Sequence, residues 1–81
     1  MQVKVLFFGP AKDVTGISNR WFPLEEEMTL QALINRLYQA FPEAKEVFEL
    51  CSFVVNQDFA SPDTLLHDRD EIAVLPPVSG G

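Results

Sequence analysis

The sequence predicts an α+β domain in which a mixed sheet carries one main helix on one face. Two observations predict it. Residues 2–8 and 71–75 are dense in β-branched and aromatic side chains, and the stretch between them holds one long apolar stripe at helical spacing. A single amphipathic helix laid across one face of a sheet is the economical way to bury that stripe.

The elements follow in chain order. Residues 2–8 (QVKVLFF) read as a strand, with Val3, Val5 and Phe7 on one face and Gln2, Lys4, Leu6 and Phe8 on the other. Gly9-Pro10 breaks it; Pro10 suits the first turn of a short helix and Gly16 its end. Residues 19–23 (NRWFP) are the expected second strand, returning as a hairpin around that helix. Thr29 is the expected N-cap of the main helix, in which Leu30, Leu33, Ile34, Leu37, Tyr38 and Phe41 share one side until Pro42 ends it. The acidic run Glu25-Glu26-Glu27 before the cap is expected to favour the positive end of the helix. Residues 44–49 add a helical turn or two, and residues 51–56 (CSFVVN) make a third strand. Asn56-Gln57-Asp58 reads as a tight turn into a short strand near Phe59 and Ala60, and Leu65 and Leu66 as buried anchors in a loop. The last strand, residues 71–75 (EIAVL), stops at Pro76-Pro77, which cannot donate to a ladder. This ββαββ order is the β-grasp, or ubiquitin-like, plan, with the first and last strands side by side in the middle of the sheet.

Composition narrows the function classes. The 81 residues make one domain, with residues 1–75 as its β-grasp body and 76–81 as a flexible C-terminal tail. So small a body has a thin stability margin, and Cys51, the single cysteine, cannot supply a disulfide framework or a cysteine-rich metal site. A net charge of −6 is repelled by phosphate backbones, so a basic protein surface is the expected partner and nucleic acid is not. No apolar run approaches the length of a membrane span, and residues 1–5 lead straight into a strand rather than a signal peptide. A soluble, cytoplasmic protein with no membrane partner is expected.

The body offers little chemistry of its own. His67, the only histidine, stands beside Asp68 and Asp70 in what reads as a solvated, charged turn, short of the ligands and scaffold a metal needs. Cys51 opens an apolar strand next to Glu49 and Leu50, a setting that suits a packed, inert thiol. There is no GxxxxGK loop to hold ATP. No metal and no cofactor bound by this chain alone are expected.

The ending LPPVSGG reads differently. Six residues beyond Leu75 reach up to roughly 20 Å, and Pro76-Pro77 stiffen the exit. Val78 offers an apolar grip, while Gly80 and Gly81 have no side chain, so their backbone can enter a channel that any Cβ would block. A frayed end is the bland account. On a β-grasp domain, directly after the last strand and two prolines, a terminal Gly-Gly points instead to a reactive carboxylate.

With those residues in view, the chain resembles the small-subunit family of molybdopterin synthase over nearly its whole length. The most specific segments are VKVLFFGPAKDVTG (3–16), VNQ (55–57) and LHDRDEIAVLPPVSGG (66–81). The resemblance implies that Gly81 is adenylated by a ubiquitin-activating-like enzyme that uses ATP, and is then converted to a thiocarboxylate. Docked on the synthase's large subunit in a heterotetramer, it would give its sulfur to cyclic pyranopterin monophosphate during molybdenum cofactor biosynthesis, with Gly80 as the slim neighbour the machinery requires. Arg69 departs from the family, which usually has glycine in that turn, and this puts the turn's geometry in question. The sulfur carrier of thiazole synthesis, a ubiquitin-like protein modifier and an inert binding module are the alternatives.

A docking surface follows from alternation. Leu6 and Phe8 lie on the side of the first strand marked as solvent-facing by Gln2 and Lys4, and Ala73 and Leu75 on the side of the last strand marked by Glu71. On neighbouring strands these four would form one exposed apolar patch beside the tail, the expected seat of the large subunit, with Val78 adding a contact. Phe8 is the aromatic expected to dominate it.

Overall fold

The computed structural model describes residues 1–77. Strand β1 (Gln2–Phe7) buries Val3, Val5 and Phe7 almost completely and turns Gln2, Lys4 and Leu6 the other way. Gly9, at φ 55 and ψ −131, swings the chain into helix α1 (Pro10–Thr15), which Gly16 closes in the left-handed conformation. Strand β2 (Asn19–Pro23) then pairs antiparallel with β1, Val3 opposite Phe22.

Helix α2 (Leu30–Ala40) starts where Thr29 Oγ1 accepts the Ala32 N–H at 3.3 Å, a cap of the kind that contributes about 1 kcal/mol. Its Leu30, Leu33, Ile34 and Leu37 are buried, and Phe41 caps its end before Pro42. A 3₁₀ turn (Pro42–Ala44) and helix α3 (Lys45–Leu50) follow, burying Ala44 and Phe48. Strands β3 (Ser52–Val55) and β4 (Asp58–Phe59) form a hairpin whose two loop residues, Asn56 and Gln57, both have positive φ, as a tight two-residue turn requires. Strand β5 (Glu71–Leu75) completes the sheet.

The strand order is β2-β1-β5-β3-β4, with β1 and β5 parallel and every other pair antiparallel. This is the β-grasp arrangement, α+β, with first and last strands central. Val3, Val5, Phe7, Ile72 and Val74 from the sheet share one core with the apolar side of α2. Each such side chain contributes about 1.5–3 kcal/mol on burial. Phe7 meets Phe41 edge-on at 5.8 Å and Phe48 at 6.3 Å, sealing the end of the core under α3. The helices cover this face only; the opposite face of β1 and β5 is left partly open. Among the described residues no helix is long and apolar enough to cross a membrane.

Three local expectations change. Leu66 is buried, but Leu65 is 52% exposed. Leu65 bridges Thr29 in strand-like fashion while the Leu66 N–H donates to Met28 O, and neighbours on an extended chain face opposite ways, so only one can enter the core. Glu25 pairs with Arg36, well inside α2, at 3.2 Å, and no acidic residue lies in the first turn of that helix. Glu27 at φ 63 turns the chain between the acidic run and the cap. The third change concerns the turn before β5. It keeps its positive-φ geometry despite Arg69, which sits at φ 69 and donates its N–H to Gln2 O at 2.6 Å.

Candidate functional site

The parallel pairing of β1 with β5 sets Leu6 beside Ala73, and the antiparallel pairing of β5 with β3 sets Ala73 beside Val54. Val54 in turn faces Phe59 across the β3–β4 hairpin. A row of apolar side chains, Leu6, Ala73, Val54 and Phe59, therefore crosses the open face of the sheet. With Phe8 and Leu75 it forms an apolar groove of about 420 Å³. Gln57 and Glu71 supply its polar edges. All four body residues expected to form the patch line this groove.

Sequence reasoning missed Val54 and Phe59. Phe59 is 96% exposed, against 44% for Phe8, and is the most exposed large apolar side chain described. A phenylalanine at the end of a two-residue strand after a polar turn was the available signal: so short an edge strand buries nothing that would need an aromatic. The tight turn at Asn56-Gln57 holds it there. Asn56 fastens that turn to β5: its N–H donates to Glu71 O at 2.8 Å, its Oδ1 accepts the Glu71 N–H at 2.9 Å, and its Nδ2 donates to Asp70 Oδ1 at 2.9 Å.

The groove ends at the root of the tail. The Phe8 N–H donates to Val74 O at 3.2 Å, and the next residue, Gly9, lies against the ring of Pro76. Val78, Gly80 and Gly81 lie outside the described residues.

The turn holding His67 is less solvated than expected. Asp70 is only 9% exposed, and its carboxylate accepts the His67 N–H at 2.7 Å and the Asn56 amide N–H at 2.9 Å. Asp68 Oδ1 accepts the Gln2 N–H at 2.8 Å. Both carboxylates are thus engaged in tying the turn to the sheet, while the His67 ring is exposed, with Nδ1 3.8 Å from Asp70 Oδ2. Among the described residues no group of three or more His, Cys, Asp or Glu is placed to hold a metal ion. Cys51 is half-buried, and burial pushes its thiol pKa up, away from the reactive thiolate. A second, polar cleft lies between Gln2, Trp21, Asp68 and Arg69, at the end of β1 far from the tail.

Comparison with known proteins gives the same family at three levels. The model of the ThiS family matches residues 5–81. A molybdopterin synthase sulfur carrier subunit of Chlamydomonas reinhardtii is 35% identical over the full length of both chains. Among solved structures, a chain from the complex of subunits 1 and 2 of the Helicobacter pylori molybdopterin-converting factor is 33% identical, superposes with a TM-score of 0.74 and is covered in full, as is this chain. Small archaeal modifier protein 1 of Methanosarcina acetivorans is 26% identical, with a TM-score of 0.82 over 99% of this chain and 96% of that one.

Proposed function

The chain belongs to the ThiS family, and on that premise we propose that it is the sulfur carrier subunit of a molybdopterin synthase. The observation that carries this reading is the open apolar groove of Leu6, Phe8, Val54, Phe59, Ala73 and Leu75 directly beside Pro76, the root of the segment ending in Gly80-Gly81. A surface of that kind fits a partner that must seat the body and receive the tail together. The large synthase subunit is that partner, and the complex is a heterotetramer in the cytoplasm.

Gly81 is the sulfur-bearing residue. A ubiquitin-activating-like enzyme, which holds the ATP, joins AMP to the Gly81 carboxylate and releases pyrophosphate. The carboxylate, a poor electrophile, becomes a mixed anhydride with a good leaving group. A sulfide equivalent displaces AMP and leaves a thiocarboxylate, which is anionic and a softer nucleophile than the carboxylate. On the large subunit its sulfur bonds to a carbon of cyclic pyranopterin monophosphate in place of oxygen, as a carbon–oxygen bond at that carbon breaks and the oxygen leaves with the bonding pair. Water then cleaves the acyl–sulfur bond, leaving sulfur on the pterin and restoring oxygen to Gly81. Tethering on a short tail raises the sulfur's effective concentration at the pterin, and Gly80 lets the backbone through the narrow approach.

The likeness to an archaeal modifier protein favours a second reading, attachment of the same carboxyl end to lysines of other proteins. The intact mass of protein taken from cells separates the two. A fraction heavier by one oxygen-to-sulfur exchange at Gly81, lost when Gly81 is deleted or followed by an added residue, is the expected result. Protein recovered only as the carboxylate or as conjugates would overturn the carrier reading. Transfer of the sulfur to the pterin in the presence of the large subunit then distinguishes this carrier from that of thiazole synthesis.

A further inference from the structure

We propose that Gly9 is a positioning residue for sulfur transfer: it holds Pro76, and with it the root of the tail, at a set angle to the docking groove. The proposal rests on the sulfur-carrier reading above.

Gly9 is constrained twice. Its φ of 55 and ψ of −131 belong to a region that L-residues with a Cβ rarely adopt. A Cβ placed on it would also lie 3.3 Å from Pro76 Cβ and 3.5 Å from Pro76 Cγ, so the proline would have to move. Gly16 makes the contrast. It too has positive φ, 76, yet a Cβ there would meet nothing within 4 Å. Gly16 ends a helix; Gly9 also seats another part of the chain.

Gly9 occupies the N-cap of α1, where Ser, Thr, Asp or Asn would satisfy the helix better, and no side chain caps that helix. A glycine forgoes the cap and keeps the space for Pro76. The segment around it is held at both ends: the Phe8 N–H bonds Val74 O at 3.2 Å, and Gly9 O accepts the Asp13 N–H at 3.0 Å. Pro76 has a ring-fixed φ, so where its ring rests restricts the direction in which the chain leaves β5. Phe8 lines the docking groove while its neighbour Gly9 supports the tail root. A partner that seats Phe8 therefore registers the tail through one residue of rigid backbone.

The test uses full-length wild type, Gly9→Ala and Gly16→Ala, each prepared as the Gly81 thiocarboxylate. Melting temperature, Kd for the large subunit and the single-turnover rate of sulfur transfer at saturating large subunit are measured. Both variants carry backbone strain, so both should melt lower, and both should bind within about threefold of wild type, since the groove's side chains are unchanged. Only Gly9→Ala should lose transfer rate, by about tenfold: the proline must give by a few tenths of an ångström, and a full 1 Å misplacement of a reacting group can cost about a hundredfold. Pro76→Gly takes away the ring that Gly9 seats and should show the same split; it stands in should Gly9→Ala fail to fold. Transfer by Gly9→Ala or Pro76→Gly at the Gly16→Ala rate, or a loss confined to Kd, would overturn the positioning role alone. Wild-type thiocarboxylate that gives up no sulfur would overturn the carrier reading and this role with it. Nuclear Overhauser contacts between the Gly9 α-protons and the Pro76 ring in the unactivated protein check the geometry without any activity, and their absence would also overturn the proposal.

Discussion

Replacing Phe59 by alanine should weaken docking of the large subunit more than replacing Phe8, although Phe8 is the aromatic that alternation singles out. Fully burying a phenylalanine side chain contributes about 1.5–3 kcal/mol. Phe59 is 96% exposed, so nearly all of that gain is still available to a partner. Phe8 is 44% exposed, so more than half of its gain already stabilises the fold. Scaling by exposed fraction gives a loss of ~1.4–2.9 kcal/mol in binding for Phe59→Ala and ~0.7–1.3 kcal/mol for Phe8→Ala. These correspond to roughly 10- to 130-fold and three- to ninefold in Kd. The folding costs should run the other way: within ~0.5 kcal/mol for Phe59→Ala and ~1 kcal/mol for Phe8→Ala. Titration calorimetry against the large subunit and urea unfolding of the free variants measure both columns. A Phe59→Ala protein that binds within threefold of wild type would refute the assignment of the groove. A reversed rank would refute the use of exposed area to apportion it.

Asp70→Ala leaves the His67 N–H and the Asn56 amide without their acceptor and should cost about 3 kcal/mol in urea unfolding, the scale for orphaned donors that had a charged partner. Arg69→Gly relieves a left-handed L-residue at φ 69, worth ~1–2 kcal/mol, against an unfolded-state entropy penalty of ~0.4–1 kcal/mol; a net gain of ~0.5–1 kcal/mol in stability is expected from the same assay. Burial raises the Cys51 thiol pKa, so iodoacetamide at pH 8 should label the native protein more slowly than the urea-unfolded chain; equal rates would show an open thiol. Because the folded value is the higher one, the stability this group contributes is whole below the unfolded pKa and fades as pH rises through the folded one. Melting curves above about pH 9 should show that decline.

Periodicity and punctuation made much of this protein legible from its residues alone. The Thr29 cap, the α2 stripe, the burial of Val3, Val5 and Phe7, and the span of β5 each depend on neighbours a few positions away, and chain geometry ties such neighbours to one face. The four-residue patch of Leu6, Phe8, Ala73 and Leu75 was readable for the same reason, once the β-grasp order set β1 beside β5. The remainder depended on partners far apart in sequence. Val54 and Phe59 join the groove through the register of β3 on β5 and of β4 on β3. Asp70 became a buried tie rather than a solvated charge because Asn56 reaches it across the sheet. Of the two leucines at 65 and 66, identical in composition, only the one facing the core is buried. Gly9 read as a simple strand breaker until the fold brought Pro76 against it. A side chain's facing is set by local backbone geometry, which the sequence encodes directly; what it faces is set by the closure of long loops and the register of strands, which only the assembled sheet determines.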